Sequence, residues 1–230
     1  MRRSSLLAVL LPLLLVWFAL ADLQPAQSAE PAAQPFDNRT LDGFETADGK
    51  RPNECWTIED GVLHLKNGNG KRGGNLFTKA EFGDFQLEFE WKISDKGNNG
   101  LKYRVRSYNN KLLGLEYQVY DDLGAKNRPQ LKYSAGAIYD LYEPDLGKQL
   151  KPAGEFNTAK IVVRGNTIEH WLNGAKIVSA TVGDEEWKRR IKASKFNEYP
   201  EFAENAKGKI MLTDHGSEVW YRNFKFQTFE

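Results

Sequence analysis

The sequence predicts an all-β fold, an antiparallel two-sheet β-sandwich with one short helix near 184–195. Three observations predict it. Short segments alternate apolar and polar residues with a period of two, the mark of a strand with one dry face. Turn residues recur roughly every eight to twelve positions, the spacing of a sandwich. Helical segments do not alternate with the strands, which excludes a parallel α/β arrangement.

The first residues stand apart. Arg2-Arg3 precede the apolar run Leu6 to Leu20, broken only by Pro12, and Ala19-Leu20-Ala21 gives a small-x-small cleavage pattern. Together these read as a signal peptide over 1–21. That predicts a secreted or periplasmic protein with no membrane span in its mature form. Residues 22–35, rich in Ala, Pro and Gln, read as a disordered linker. Residues 36–230 form one domain by size, and aromatics at 12% of the chain supply a core. Formal net charge is +1, falling to −1 once Arg2 and Arg3 leave with the leader, so there is no basic footprint for nucleic acid. The single Cys55 cannot pair within the chain. Beside Trp56 it reads as a small buried residue, and the domain must stand on its core without disulfides.

Along the chain, Cys55–Glu59 and Val62–Lys66 read as strands joined by Asp60-Gly61. Asn67–Gly74 is glycine-rich but lacks the Gly-Lys-Ser/Thr of a phosphate loop, so nucleotide binding is rejected there. Asn75–Thr78 is a short strand. Phe85–Ile93 alternates without a fault, with Phe85, Leu87, Phe89, Trp91 and Ile93 inward. Ser94–Gly100 turns into a hairpin over Leu101–Asp122, with Asn109-Asn110 between its arms. Leu123–Tyr133 is irregular, Ala135–Tyr142 follows, and Pro144 and Pro152 bound a loop. Ala159–Val163, Thr167–Leu172 and Ala175–Val182 form a meander with Asn/Gly turns. Gly183–Lys195 reads as the helix, acidic at its start and basic at its end. Lys209–Leu212 and Glu218–Phe229 close the fold. In the last strand Val219, Tyr221, Asn223, Lys225 and Gln227 oppose Trp220, Arg222, Phe224, Phe226 and Phe229.

The hairpin organises the site. Alternation turns Leu101, Tyr103, Val105, Leu115, Tyr117 and Val119 to one face. It turns Lys102, Arg104, Glu116 and Gln118 to the other, with Asp121 and Asp122 at the end. Cation, acid and amide fixed in mid-strand suit polyol binding or proton transfer. The plainer reading is a salt-laced wet face of an antiparallel sheet.

A run of motifs adds to this: Gly61-Val-Leu63, Leu76-Phe-Thr-Lys79, Phe82-Gly-Asp-Phe85, Gly97-Asn-Asn-Gly100, Glu116-Tyr-Gln118, Gly136-Ala-Ile-Tyr139, Asn173-Gly174, Ser194-Lys-Phe196 and Asp214-His-Gly-Ser-Glu-Val-Trp-Tyr-Arg-Asn223. In this order they resemble the 3-keto-disaccharide hydrolase domain family of secreted bacterial proteins, over about Leu41 to Phe229. The resemblance implies a concanavalin A-like jelly roll with a sugar site on its concave face, and hydrolytic or lyase action on 3-keto-disaccharides and 3-keto-glucosides. Thr213 stands where family members often carry Gln, which bears on substrate choice more than on fold. A more distant similarity is to laminarinase-like glycosidases, whose Glu-x-Asp-x-x-Glu matches Glu116-Tyr-Gln-Val-Tyr-Asp121 in spacing. Only a β-bulge would bring Asp121 to the face of Glu116. The altered acids argue against an ordinary retaining mechanism, which needs two carboxyls about 5 Å apart.

The chemistry that the resemblance implies needs less. A C3 ketone acidifies the C2 proton, a base removes it, and the aglycone leaves from C1. Water then completes net hydrolysis. Glu116 is the base of choice and His215 the alternative, since histidine titrates near neutrality; a turn histidine bonded to backbone is the plainer reading of His215. Lys102 and Arg104 would hold the enolate or sugar hydroxyls. Gln118, Tyr139, Asp140 and Asp121 would bind hydroxyls. Arg222, among apolar neighbours, is either paired with a buried carboxylate or part of the site. Lys195 could reach over the site edge. His64 and His170 lack acidic companions and are left out. No cofactor is required. A divalent cation such as Ca²⁺ stays open, because Asp121, Asp122, Asp140, Asp214, Glu116 and His215 offer oxygen and nitrogen donors, but no His-x-x-x-His or paired-Cys spacing exists. The expected partner is an oligosaccharide or glucoside substrate; oligomeric state is not readable. The competing reading is a non-catalytic carbohydrate-binding module that stacks sugars on Tyr108, Tyr117, Tyr120 or Trp171.

Overall fold

The computed structural model describes residues 35–67, 71–124, 129–199 and 201–229. The leader, nearly all of the linker and the middle of the glycine-rich stretch lie outside them. The strands are β1 (Phe44–Glu45), β2 (Trp56–Glu59), β3 (Val62–Leu65), β4 (Leu76–Thr78), β5 (Phe85–Ile93), β6 (Asn98–Tyr108), β7 (Lys111–Tyr120), β8 (Asn157–Arg164), β9 (Thr167–Leu172), β10 (Ala175–Thr181), β11 (Lys209–Leu212) and β12 (Val219–Thr228); α1 is Glu185–Lys192. They build a jelly-roll sandwich of a five-stranded sheet, β1-β4-β11-β6-β7, and a seven-stranded sheet, β10-β9-β8-β5-β12-β3-β2.

The alternation of β5 is realised residue by residue, with Phe85, Leu87, Phe89, Trp91 and Ile93 all buried. They meet the inward residues of β6 and β7: Phe89 lies edge-on to Tyr117 at 5.7 Å and Phe85 edge-on to Tyr103 at 6.1 Å. Such aromatic pairs add to area burial. The helix is as expected: Asp184 caps it by accepting from the Trp187 N–H at 2.6 Å, and Trp187 is its buried residue.

Register shifts break the alternation in β6, β10 and β12; that of β10 falls at Ile177, between Lys176 and Val178. Between Tyr103 and Arg106 the register of β6 shifts against β7, and it shifts against β11 over the same stretch. Arg104, at φ 52°, is the extra residue, and a bulge re-aims every side chain beyond it. Val105, expected inward, joins Phe77 and Met211 in a separate apolar cluster. In β12 the shift falls between Arg222 and Lys225, with Asn223 at φ 55°. The expected two faces of that strand therefore exchange: Phe224 joins Tyr221 in the core. Asn38 braces the bulge, donating to the Phe224 carbonyl and accepting from its N–H.

The stretch after β7 serves as a further partner of the five-stranded sheet. Gly136 N–H donates to Gln118 O, Gln118 N–H to Ala137 O, and Tyr139 N–H to Glu116 O at 3.0 Å. Lys148, almost buried, ties this stretch down through Asp122, the Ser134 hydroxyl and the Ala135 carbonyl.

His170 holds it from the core side. Its Nδ1 lies 2.9 Å from the Gly136 carbonyl and its Nε2 2.9 Å from the Tyr103 hydroxyl. A carbonyl only accepts, so Nδ1 carries the proton and Nε2 accepts from Tyr103. Burial depresses this histidine to about 4, against the pull of the Gly136 and Ala137 backbone. The unfolded chain titrates near 6.5, so the stability held by the neutral ring is intact above that pH and drains as pH falls toward 4. The loss is expected to reach about 3 kcal/mol. Melting curves across this interval check it, and His170→Gln should remove that pH dependence.

Candidate functional site

Cross-strand register sets out the site in two parallel rows. The inward row is Leu76, Leu212, Leu101, Tyr117 and Ile138, all fully buried. One residue along, on the outer face, the row is Phe77, Met211, Lys102 and Glu116, completed by Tyr139 beside Glu116. It runs from two apolar side chains through a cation and an acid to a phenol. The period of two in five short segments places these groups in line.

Glu116 sits at the centre with its side chain 6% exposed. Lys102 Nζ lies 3.5 Å from Oε2 and His215 Nε2 3.5 Å from Oε1. His215 comes from the turn after β11, and its side chain is 39% exposed. The carboxylate lies over Gly100: a Cβ built there would fall 2.1 Å from Oε1. Gly100 pairs with Gln118 across the ladder, so it belongs to β6 rather than to the expected turn, which ends at Gly97. Burial pushes the Glu116 carboxyl up, but Lys102, His215 and then Lys195 outweigh it and hold it below the usual carboxylate range.

Among the described residues four carboxylates are buried: Glu116, Asp121, Asp140 and Asp214. Three are occupied by loop hydrogen bonds. Asp121 accepts from the N–H groups of Lys96 and Gly124; β7 has no bulge, so Asp121 stays off the face of Glu116. Asp140 accepts from Lys132 Nζ at 2.6 Å and from the Lys195 N–H at 2.8 Å. Asp214 accepts from Asn67, Arg72 and the N–H groups of Gly74 and Gly216. Only Glu116 lacks such donors: its two cationic neighbours stand beyond the 2.7–2.9 Å of a tight charge-assisted bond. The donor set bears on a metal too, because four of the six oxygen and nitrogen donors considered, Asp121, Asp122, Asp140 and Asp214, are already bonded within the protein. Among the described residues no three His, Cys, Asp or Glu are grouped to hold an ion.

The other candidates divide. Gln118 is buried beside Gly100 and donates to Asn98 at 3.0 Å; its carbonyl oxygen has no partner among the described residues. Tyr139 lies tilted against Tyr133, ring centres 5.3 Å apart. Lys195 Nζ lies 4.1 Å from the Tyr139 ring centre. Arg104 is carried away by the bulge: its guanidinium is buried against the carbonyls of Gly165 and Ala203. Arg222 lies on the seven-stranded sheet, 2.8 Å from Glu90 and over the Phe156 ring. Thr213 is buried on Asn99 and the Gly100 carbonyl and does not reach out. Sequence reading missed Gly100 and Arg72. A glycine pair flanking Asn-Asn is the usual sign of a turn, and Arg72 acts only by clamping Asp214, far along the chain.

A larger cavity, about 690 Å³, lies on the outer face of the seven-stranded sheet, lined by Glu88, Glu90, Lys160, Trp171 and Asn223 among others. Trp171 is flanked in register by Lys160 and Lys176, with their ammonium groups 3.9 and 5.9 Å from its ring. Of the other stacking candidates Tyr117 and Tyr108 are buried and Tyr120 is half-buried. The convergence of acid, cations and histidine is at Glu116.

Comparison with known proteins bears on the chain as a whole. Residues 31–227 match the family described as 3-keto-alpha-glucoside-1,2-lyase-like domain. A 3-keto-disaccharide hydrolase of Bacteroides thetaiotaomicron is 30% identical over 229 residues, covering 85% of this chain and 77% of that protein. A solved structure of a proposed glycosyl hydrolase from Parabacteroides distasonis superposes with TM-score 0.75 at 29% identity, covering 85% of this chain and 92% of the other. A second from the same organism gives TM-score 0.60 at 25% identity, covering 82% and 95%.

Proposed function

The chain belongs to the 3-keto-alpha-glucoside-1,2-lyase-like domain family, and from that premise we propose that it cleaves the glycosidic bond of 3-keto-disaccharides or 3-keto-glucosides by proton abstraction at C2. The observation that carries the reading is Glu116, the one buried carboxylate among the described residues without a hydrogen-bond donor of its own. A base needs a free lone pair aimed at the proton that it takes, and a carboxylate built only for structure would be bonded, as Asp121, Asp140 and Asp214 are.

In this reading the sugar ring lies on the outer face over Gly100. Glu116 takes the C2 proton, and charge moves onto the C3 oxygen as an enolate. Lys102 and His215 present N–H groups to that oxygen. Positive charge fixed in place before the reaction stabilises a developing oxyanion without reorganisation. The electron pair then expels the oxygen at C1 and leaves an enone, to which water adds. Tyr139 and Gln118 contact hydroxyls. The leader read at 1–21 supports export.

The ketone is the test. The 3-keto forms of trehalose and lactose should be cleaved and their unoxidised parents should not, because without the carbonyl the C2 proton is not acidic. Chromatography of the products reads the outcome. Equal cleavage of both forms overturns the elimination reading in favour of an ordinary glycosidase.

A further inference from the structure

Elimination needs a second proton: the oxygen that leaves C1 departs poorly as an alkoxide. Lys102 is paired with the base and has a side chain only 15% exposed, and His215 faces the same carboxylate. The remaining cation at the site is Lys195. Among the described residues its ammonium has no carboxylate or hydrogen-bond partner; it lies over two aromatic rings, Tyr139 at 4.1 Å and Phe196 at 5.2 Å. Its backbone is fixed independently. Asp140, at φ 63°, accepts from the Lys195 N–H at 2.8 Å with one oxygen and from Lys132 Nζ with the other. Ser194 accepts from the Phe196 N–H and secures the next residue. A lysine with a pinned backbone, its ammonium on a ring beside the base and all three N–H groups unspent, is held as a donor.

We infer that Lys195 is a catalytic residue, the general acid that protonates the departing glycosidic oxygen, and that Asp140 is its positioning residue. The inference rests on the reading of Glu116 as base. Glu116 gains the C2 proton, the C1–O bond breaks, and the leaving oxygen takes a proton from Lys195, which becomes a neutral amine. The Glu116 carboxyl exchanges its proton with solvent; in the hydration step water gives its oxygen to C1 and a proton to Lys195, and Glu116 delivers the exchanged proton to C2. Sugar and aglycone alcohol are released and both residues are restored. Burial lowers the Lys195 ammonium below an ordinary lysine; Glu116 pulls it back up and Lys102 pushes it down. The net direction is that of a stronger acid.

The test varies the leaving group. A 3-keto-glucoside with an alkyl aglycone needs the proton; one with a nitrophenyl aglycone leaves unaided. Lys195→Ala should lose about 10²-fold or more on the alkyl substrate and less than about tenfold on the nitrophenyl one. Lys195→Arg, which keeps the charge but not the acidity, should behave like Lys195→Ala. Asp140→Asn should lose selectively on the alkyl substrate, with its kcat falling more than its KM rises. An equal loss on both substrates, full rescue by arginine, or no loss overturns the inference. Glu116→Gln separates the two claims, since it should fail on both aglycones; if it does not, the reading of the base has failed instead.

Discussion

Replacing Glu116 by Gln is expected to lower turnover of a 3-keto-disaccharide by about 10²-fold or more, while binding of an unreactive analogue changes far less. The amide keeps the shape over Gly100 and still meets Gln118 and Tyr139 through the sugar, but it has no basic lone pair. His215→Gln sharpens the comparison. His215 stands 3.5 Å from the same carboxylate, so losing it should weaken enolate stabilisation and leave measurable turnover. The reverse ranking would make His215 the base. The pH profile follows from the same contacts. Glu116 is held below the usual carboxylate range, so it stays ionised through mildly acidic pH, and the acid limb of kcat/KM should lie correspondingly low. The carboxyl is raised by burial and lowered chiefly by Lys102. Lys102→Met leaves the burial less opposed, and the limb should move to higher pH. A limb that stays put would mean that Glu116 does not set it.

Gly100→Ala should be nearly as damaging to activity and far milder for the fold. The added methyl would meet Glu116 Oε1 at 2.1 Å and its Cδ and Cγ at 2.8 Å. The clash is with the far end of one side chain, not with backbone, so the carboxylate swings aside and the strand stays. Overpacking of this kind costs about 1–3 kcal/mol. Displacing a reacting group by about 1 Å costs on the order of 10²-fold in rate. Melting temperature and kcat measured together check this. A large fall in kcat with a small fall in melting temperature is expected; normal kcat would mean that the position of the carboxylate over Gly100 does not matter.

Much of the fold was legible because the hydrophobic period is a direct record of which face is dry. Phe85–Ile93 needed nothing else, and the cap Asp184 with the charge gradient after it marked the helix. What was not legible turns on two residues with positive φ. Arg104 and Asn223 carry no glycine to announce a bulge, yet each shifts the register of its strand by one. Arg104 consequently leaves the face that alternation gave it, Val105 takes an outward place, and Phe224 turns into the core. The site was legible to the same depth. Alternation alone puts Lys102 and Glu116 on one face, but their pairing across the hairpin comes from the Arg104 bulge: the register set by Tyr108–Lys111 and Arg106–Leu113 would otherwise face Lys102 with Tyr117. That Asp121, Asp140 and Asp214 serve loops while Glu116 does not depends on donors up to 147 residues away in the chain, which no local pattern encodes. Gly100 looked like a turn residue because its use, to leave room for a carboxylate from the next strand, is visible only once the strands are paired.

The central claim is that the C2–H bond breaks during cleavage. Run in D₂O with a 3-keto-disaccharide protonated at C2, the reaction should release a 3-keto-sugar carrying deuterium at C2, read by NMR and mass spectrometry against the same product incubated without enzyme. Deuterium at C2 above that control, and its loss in step with turnover in Glu116→Gln, is the predicted result. Product released at full rate with its original C2 proton retained would contradict it.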